Sequence, residues 1–141
     1  MTVVDLNVLL YAINSDDRYH ARAHAWLEGA LNGSTTLALP WLVIVGFLRL
    51  STHPAAMRQP LSAERALGYI GEWLARRSTT VVDPTTRHMQ LLGDLLREAG
   101  TAGNRVNDAH LAALALEHGA SITSFDRDFL RFRGVKLNVP E

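Results

Sequence analysis

Short apolar runs alternate along this chain with stretches whose apolar residues recur at helical spacing, and no tight hairpin joins one run to the next. That alternation constrains the fold more than anything else in the sequence. Strands without polar alternation are buried on both faces, and a parallel partner is reached only through a long crossover, for which the amphipathic stretches supply helices. The expectation is an α/β chain, a central parallel sheet of about five strands sandwiched between two helical layers, forming a single domain over residues 1–141.

Val3 and Val4 lead into Asp5, and Leu6, Val8, Leu9 and Leu10 follow, which reads as a short buried strand passing directly into a helical turn. A helix is predicted from Tyr19 to Leu31 on the spacing of Ala23, Trp26, Leu27, Ala30 and Leu31, ended by Asn32 and Gly33. Thr36 to Leu39 is a second strand. Pro40 suits the first turn of a helix, where its missing N–H costs nothing, and Trp41 to Leu50 reads as a mostly buried helix. Ser62 is the expected N-cap of a helix whose core stripe is Ala66, Leu67, Ile70 and Leu74. Thr80 to Val82 makes a third strand. His88, Leu91, Leu92, Leu95, Leu96 and Ala99 mark an amphipathic helix ending at Gly100. A loop over 101–107 leads to Asp108 and a helix with Leu111, Ala112, Ala115 and Leu116 inward, closed by Gly119. Ala120 to Thr123 is a fourth strand and Val135 to Val139 a fifth.

The absence of cysteine excludes disulfides, zinc ribbons and thiol nucleophiles, so any metal must be held by oxygen or imidazole. Lys and Arg together number 14, as do Asp and Glu, so no global field draws the chain to nucleic acid, and any such binding needs a local patch. The first residues carry no basic leader and meet Asp5 too early for a signal peptide or a membrane span, so a cytoplasmic location is expected.

Ligands of open parallel sheets bind beyond the carboxyl ends of the strands. Asp5 ends the first strand, Asp126 lies just past the fourth, and Asp108 opens the helix feeding the fourth, so three carboxylates distant in sequence are placed to meet. Carboxylates brought together repel, and burial adds a desolvation cost, so such a cluster calls for a divalent cation; hard oxygen ligands suit magnesium or manganese. Taken singly, Asp108 reads more readily as an N-cap or first-turn acid than as a catalytic one, and Asp126 and Asp128 can be turn residues. Asp5 resists that reading, since its apolar neighbours imply burial.

The segments DLNVLLYA from Asp5, NDAHLAALALEHGA around Asp108 and ITSFDRDF around Asp126, in this order and spacing, resemble the PIN-domain ribonucleases, in particular the VapC-type toxins of bacterial toxin–antitoxin pairs. The resemblance spans Thr2 to Pro140. It implies a PIN-like three-layer α/β/α fold and magnesium-dependent endonucleolytic hydrolysis of tRNA or rRNA, with manganese as an alternative ion. It implies further that Asp5, Asp108 and Asp126 are catalytic and metal-ligating, that Asn7 and Ser124 orient the carboxylates, and that Asp128 stands outside them. A VapB-like antitoxin whose tail crosses the pocket, and a homodimer, follow from the same resemblance. The chain departs from the family where most relatives carry a glutamate before a stretch like Phe47-Leu48-Arg49: Gly46 stands there. One acid is thereby lost, which motivates the alternative of a degenerate PIN-like module that binds RNA or a partner without cutting.

His20 and His24 lie four apart on a helix but lack a matching acid, and His53, His88, His110 and His118 have no partner at diagnostic spacing. Arg127, Arg131, Arg133 and Lys136 follow the third aspartate and Arg49 lies one turn past Gly46, which reads equally as a basic rim around the pocket, with Arg49 and Arg127 as its candidate RNA contacts, and as an ordinary solvated surface. Trp26, Trp41, Trp73 and the helix from Trp41 offer surfaces to a second copy. A phosphatase of the haloacid-dehalogenase type also begins with a strand-end aspartate, but that chemistry wants a second aspartate two residues on, and Asn7 stands there.

Overall fold

The computed structural model describes residues 1–100 and 103–141. In chain order its elements are β1 (Thr2–Val4), α1 (Leu6–Ile13), α2 (His20–Leu31), β2 (Leu37–Pro40), α3 (Trp41–Ser51), α4 (Ala63–Leu74), β3 (Thr79–Val82), α5 (His88–Ala99), α6 (Val106–Glu117), β4 (Ser121–Thr123) and β5 (Leu137–Asn138). The five strands run parallel in the order β3-β2-β1-β4-β5. Six helices flank this sheet, as the alternation of runs predicts.

Helix α1 packs against α2 and α3, α3 against α4, and α5 against α6. Right-handed crossovers carry β1 to β2 and β2 to β3 in one direction and β3 to β4 back in the other, which puts α1–α4 on one face and α5 and α6 on the opposite one. The direction reverses between β1 and β4, and there the carboxyl ends of two neighbouring strands leave a crevice. Val3, Val4, Ala38, Leu39 and Ile122 are buried in the sheet, and Leu9, Phe47, Leu114 and Phe129 close over it.

Local chemistry sets the boundaries. Ser62 Oγ accepts the Arg65 N–H at 3.2 Å, capping α4 as expected. Gly100, at φ +71°, ends α5 in the left-handed conformation. At the end of α6, Gly119 N–H bonds Leu116 O and Ala120 N–H bonds Ala115 O, a Schellman closure. Ala120 thus spends its donor on the helix, and β4 starts at Ser121 rather than Ala120.

Several expectations require correction. Pro40 is not helical: with φ −73° and ψ 153° it is the last residue of β2 and the N-cap of α3. Helix α3 is apolar on both sides yet only half covered, since Trp41, Leu42 and Val45 are exposed. In α4 the buried stripe is Ala66, Ile70 and Trp73, whereas Leu67 is 52% exposed. Trp73 wins the inward place because its ring meets Phe47 at 5.0 Å and Tyr69 at 5.7 Å. Trp73 is therefore unavailable to a second copy. The fifth strand shrinks to Leu137–Asn138, as Val135 N–H turns back to Phe132 O. Of the loop expected over 101–107, Thr101 and Ala102 lie outside the described residues, Gly103–Arg105 is a 3-10 turn, and Val106 and Asn107 already belong to α6.

The histidines find partners across elements. His88 Nδ1 lies 3.1 Å from Glu117 Oε2, and His88 Nε2 lies 2.9 Å from His110 Nδ1. Glu117 Oε1 accepts the Thr85 N–H. This chain of contacts ties α5 to α6 on the face away from the crevice. Among the described residues no helix is long and apolar enough to cross a membrane.

The corrected α4 register has a direct test. Trp73→Ala is expected to lower the unfolding free energy by about 3–5 kcal/mol, while Leu67→Ala should change it by less than about 0.5 kcal/mol. Urea titrations of the two variants check the pair; equal losses would return Leu67 to the core.

Candidate active site

Asp5 is built into the seam where β1 meets β4. Its N–H donates to Thr123 O at 3.0 Å, continuing the ladder, and Oδ1 accepts the Leu6 N–H at 2.7 Å, so the carboxylate caps α1. Its second oxygen, Oδ2, accepts the Ser124 hydroxyl at 2.6 Å. Ser124 is fully buried and holds further groups: its Oγ accepts the Asp126 N–H at 2.9 Å and lies 3.1 Å from Asn7 Nδ2. Asn7 Oδ1 in turn accepts the Phe125 N–H at 3.2 Å. The start of α1 and the loop after β4 are thus stitched together by Asp5, Asn7 and Ser124.

Asp126 Oδ1 accepts the Asp128 N–H at 2.8 Å, capping the 3-10 turn Arg127–Arg131. Asp128 has arginine partners of its own. It pairs with Arg105 at 2.9 Å and stands 3.8 Å from Arg131, so its charge is already answered. Asp108, in the first turn of α6, is half-buried. Among the described residues no arginine, lysine or histidine forms an ion pair with Asp5, Asp108 or Asp126.

These three carboxylates feel one another. Burial raises the pKa of Asp5 above the usual carboxylate value, against the hydrogen bonds from Ser124 and Leu6, and the charge of Asp126 adds to the rise. Asp108 is pushed up to about 6, first by burial and then by Asp5 and Asp126, with Arg105 opposing. Such a set, hard in its donors and without an ion-pair partner among the described residues, fits a small divalent cation. Among the described residues, however, no group of three acidic or imidazole side chains closes around a single point. An ion of the magnesium class keeps several waters and takes only one or two carboxylates directly, so Asp5, Asp108 and Asp126 would hold it partly through water.

A cavity of about 270 Å³ opens beside Asp5 and Asp108, between α1, α3 and α6. Arg49 and Asn107 stand among its lining, and Gly46 and Leu6 meet within it. A larger one, of 450 Å³, lies at the amino ends of β1, β2 and β4, where Thr2, Leu37 and Ser121 begin the strands, and it contains no acid. Chemistry, not size, therefore picks out the crevice. Arg127 is exposed on the 3-10 turn beside Asp126.

Sequence reading passed over Arg105, Asn107 and Leu6. Arg105 stands three residues before Asp108, a helical neighbour whose spacing was visible. The approach of Leu6 to Gly46 has no sequence signal.

The raised pKa of Asp108, set first by burial and then by its acidic neighbours, predicts a pH effect. Between its ordinary value of 3.8 and its folded value of about 6, the folded chain holds a proton that the unfolded chain has released. The contribution of Asp108 to metal-free stability is thus fullest below the lower value and is lost as pH rises through the upper. Discounted for solvent screening, the loss is about 1 kcal/mol, so Asp108→Asn should raise the metal-free melting temperature near neutral pH by about 3–5 °C. Melting curves in EDTA at acid and neutral pH check this; a variant that melts lower at neutral pH would contradict it.

The family model described as PIN domain matches residues 2–135. Ribonuclease VapC37 of Mycobacterium tuberculosis is 46% identical over 140 residues, covering 99% of this chain and 97% of its own. Ribonuclease VapC33 of the same species is 36% identical over 140 residues, at 99% and 98% coverage. VapBC2 from Rickettsia felis, solved bound to a DNA fragment from its promoter, shares the fold at a TM-score of 0.72 and 20% identity, over 99% of this chain and 98% of its own. FitAB bound to an IR36 DNA fragment shares it at a TM-score of 0.72 and 18% identity, with 99% and 95% covered. With the fold, the strand-end aspartates and near full-length identity in agreement, the chain belongs to the PIN-domain family, among the VapC ribonucleases.

Proposed function

We propose that this chain is the toxin of a type II toxin–antitoxin pair, a cytoplasmic endoribonuclease that hydrolyses phosphodiesters of tRNA or rRNA with magnesium, or manganese, at Asp5, Asp108 and Asp126. The observation that carries the reading is that burial, with the charge of neighbouring aspartates, raises the pKa of Asp5 and Asp108 beside Asp126, none of the three having an ion-pair partner among the described residues. Bound there, a divalent cation supplies charge neutralisation for the phosphate and a more acidic water.

The chain's own residues do the rest. Ser124 and the Leu6 N–H each take one oxygen of Asp5, which fixes the plane of that carboxylate. Asn7, through Ser124 and the Phe125 N–H, keeps the loop after β4 at the distance that Asp126 requires. Arg49 and Arg127, exposed on either side, are suited to contacts with the RNA strand. Asp128 acts through Arg105, whose charge it steadies beside Asp108.

A VapB-like antitoxin is the partner this reading entails, since the relatives of known fold include toxin–antitoxin complexes. An arginine of its tail would satisfy the free carboxylates as a cation does. Homodimerisation belongs to the same reading, and Trp41 is the largest apolar side chain exposed among the described residues.

Incubated with tRNA or rRNA, the purified protein is expected to cleave in magnesium and not in EDTA, and Asp5→Ala is expected to lose about 100-fold or more of the rate. Cleavage that survives both treatments would sink the proposal, and tight RNA binding without cleavage or metal affinity would favour a non-cutting module. Gly46→Glu is expected to bind a second manganese ion more tightly. Because a Cβ at Gly46 meets Leu6 Cδ2 at 2.8 Å, the gain should be larger when Leu6→Ala is added. Equal manganese stoichiometry in all the proteins would refute that expectation.

A further inference from the structure

Gly46 lacks a side chain, yet its surroundings are not a void for an ion. Leu6 leans over it, and the cavity of about 270 Å³ that continues past it is walled by Leu42, Val45 and Leu111. Polar groups occur only at particular places: Asp5 and Asp108 toward the crevice, Arg49 and Asn107 among the rest. Both Arg49 and Asn107 are exposed, so their donors are open to a ligand. A site meant only to hold a cation has no use for aliphatic walls.

The dimensions narrow the occupant. Pockets for drug-sized ligands span about 300–1,000 Å³, so this one suits a single ring system and excludes a helix. A flat group with apolar faces and a polar edge is what aliphatic walls with a few convergent donors receive, as in pockets that read a base drawn out of its stack. Nucleobases carry acceptors on their edges that match a guanidinium fork or an amide. An apolar side chain from a partner protein would fill the walls but leave Arg49 and Asn107 without acceptors.

We propose that this cavity is a base subsite: it receives the nucleobase of the nucleotide next to the scissile phosphate, with its faces against Leu42, Val45 and Leu111 and its edge on Arg49 and Asn107. The subsite deepens the ribonuclease reading and rests on it for the position of the phosphate. Gly46, having no side chain, leaves the way from the crevice into the cavity open beside Leu6.

The test uses the wild-type chain in calcium, with the four nucleoside 5′-monophosphates and ribose 5-phosphate as probes and methyl NMR as the readout. At least one nucleotide is expected to bind about tenfold more tightly than ribose 5-phosphate and to move the methyl signals of Leu42, Val45 and Leu111. Val45→Trp, at a solvent-open position, should fill the cavity and equalise the probes, and Arg49→Gln should weaken discrimination among the bases. The proposal is overturned if no nucleotide moves those signals, if ribose 5-phosphate binds as well as every nucleotide, or if the preference survives Val45→Trp. Signals that move only on adding an antitoxin would assign the cavity to the partner and overturn it as well. RNA cleavage measured in parallel separates the two readings: base preference without cleavage keeps the subsite and removes the nuclease, and cleavage without base preference does the reverse.

Discussion

Placing a carboxylate at the end of the most central strand is the constraint around which this molecule is organised. Asp5 sits where β1 gives way to α1, largely removed from water, and its two oxygens are each held by one donor, the Leu6 N–H and the Ser124 hydroxyl. Those bonds favour the ionised form but do not outweigh burial, which keeps its pKa raised. The neighbouring strand then adds Asp126, and α6 adds Asp108, whose own pKa is driven to about 6. A protein that gathered these charges for stability alone would have matched them with arginines, as it matches Asp128 with Arg105 and Arg131. Leaving them uncompensated costs folding free energy and reserves their charge for something that binds.

The crevice is also asymmetric. On the β4 side it is polar, with Ser124, Asn7 and Asp126 connected by hydrogen bonds. On the α3 side it is apolar, because Gly46 and Leu6 meet there and Val43 and Leu111 continue the surface inward. Polar groups that position a carboxylate and aliphatic groups that accept a ring thus lie on opposite sides of Asp5. That division follows from topology, since α1 begins at the switch point and touches both α3 and the loop after β4.

Away from the crevice, polar side chains serve packing. Glu117, His88 and His110 form a hydrogen-bonded row that pins α5 to α6, with the Thr85 N–H completing the glutamate. His20 Nδ1 reaches the Tyr11 carbonyl oxygen at 2.8 Å, tying α2 to α1. Tyr11, Tyr19 and Phe125 cluster beside these, with ring centroids 4.9–5.8 Å apart. The ring of Phe125 is held by that cluster while its backbone is held by Asn7, and so the segment carrying Asp126 is braced from both sides.

Much of this was legible in the linear order of residues. Helical periodicity located the long helices, the apolar runs located four of the strands to within a residue and overran the fifth, and the isolation of Asp5 among valines and leucines marked it as a buried acid with a reason to be there. Parallel pairing followed from the same alternation, because only crossover helices join strands of this kind. Contacts between elements were a different matter. Whether Leu67 or Trp73 faces inward, which histidine meets Glu117, and that Leu6 fills the space over Gly46 depend on how helices pack across one another, and periodicity records only which residues share a face, not what that face meets. The sequence by itself determined the elements, their order and the acids at the strand ends, since those depend on neighbours a few residues away. Only the tertiary structure decided how closely the three aspartates approach and what lines the space between α3 and α6, since both are set by side chains brought together from opposite ends of the chain.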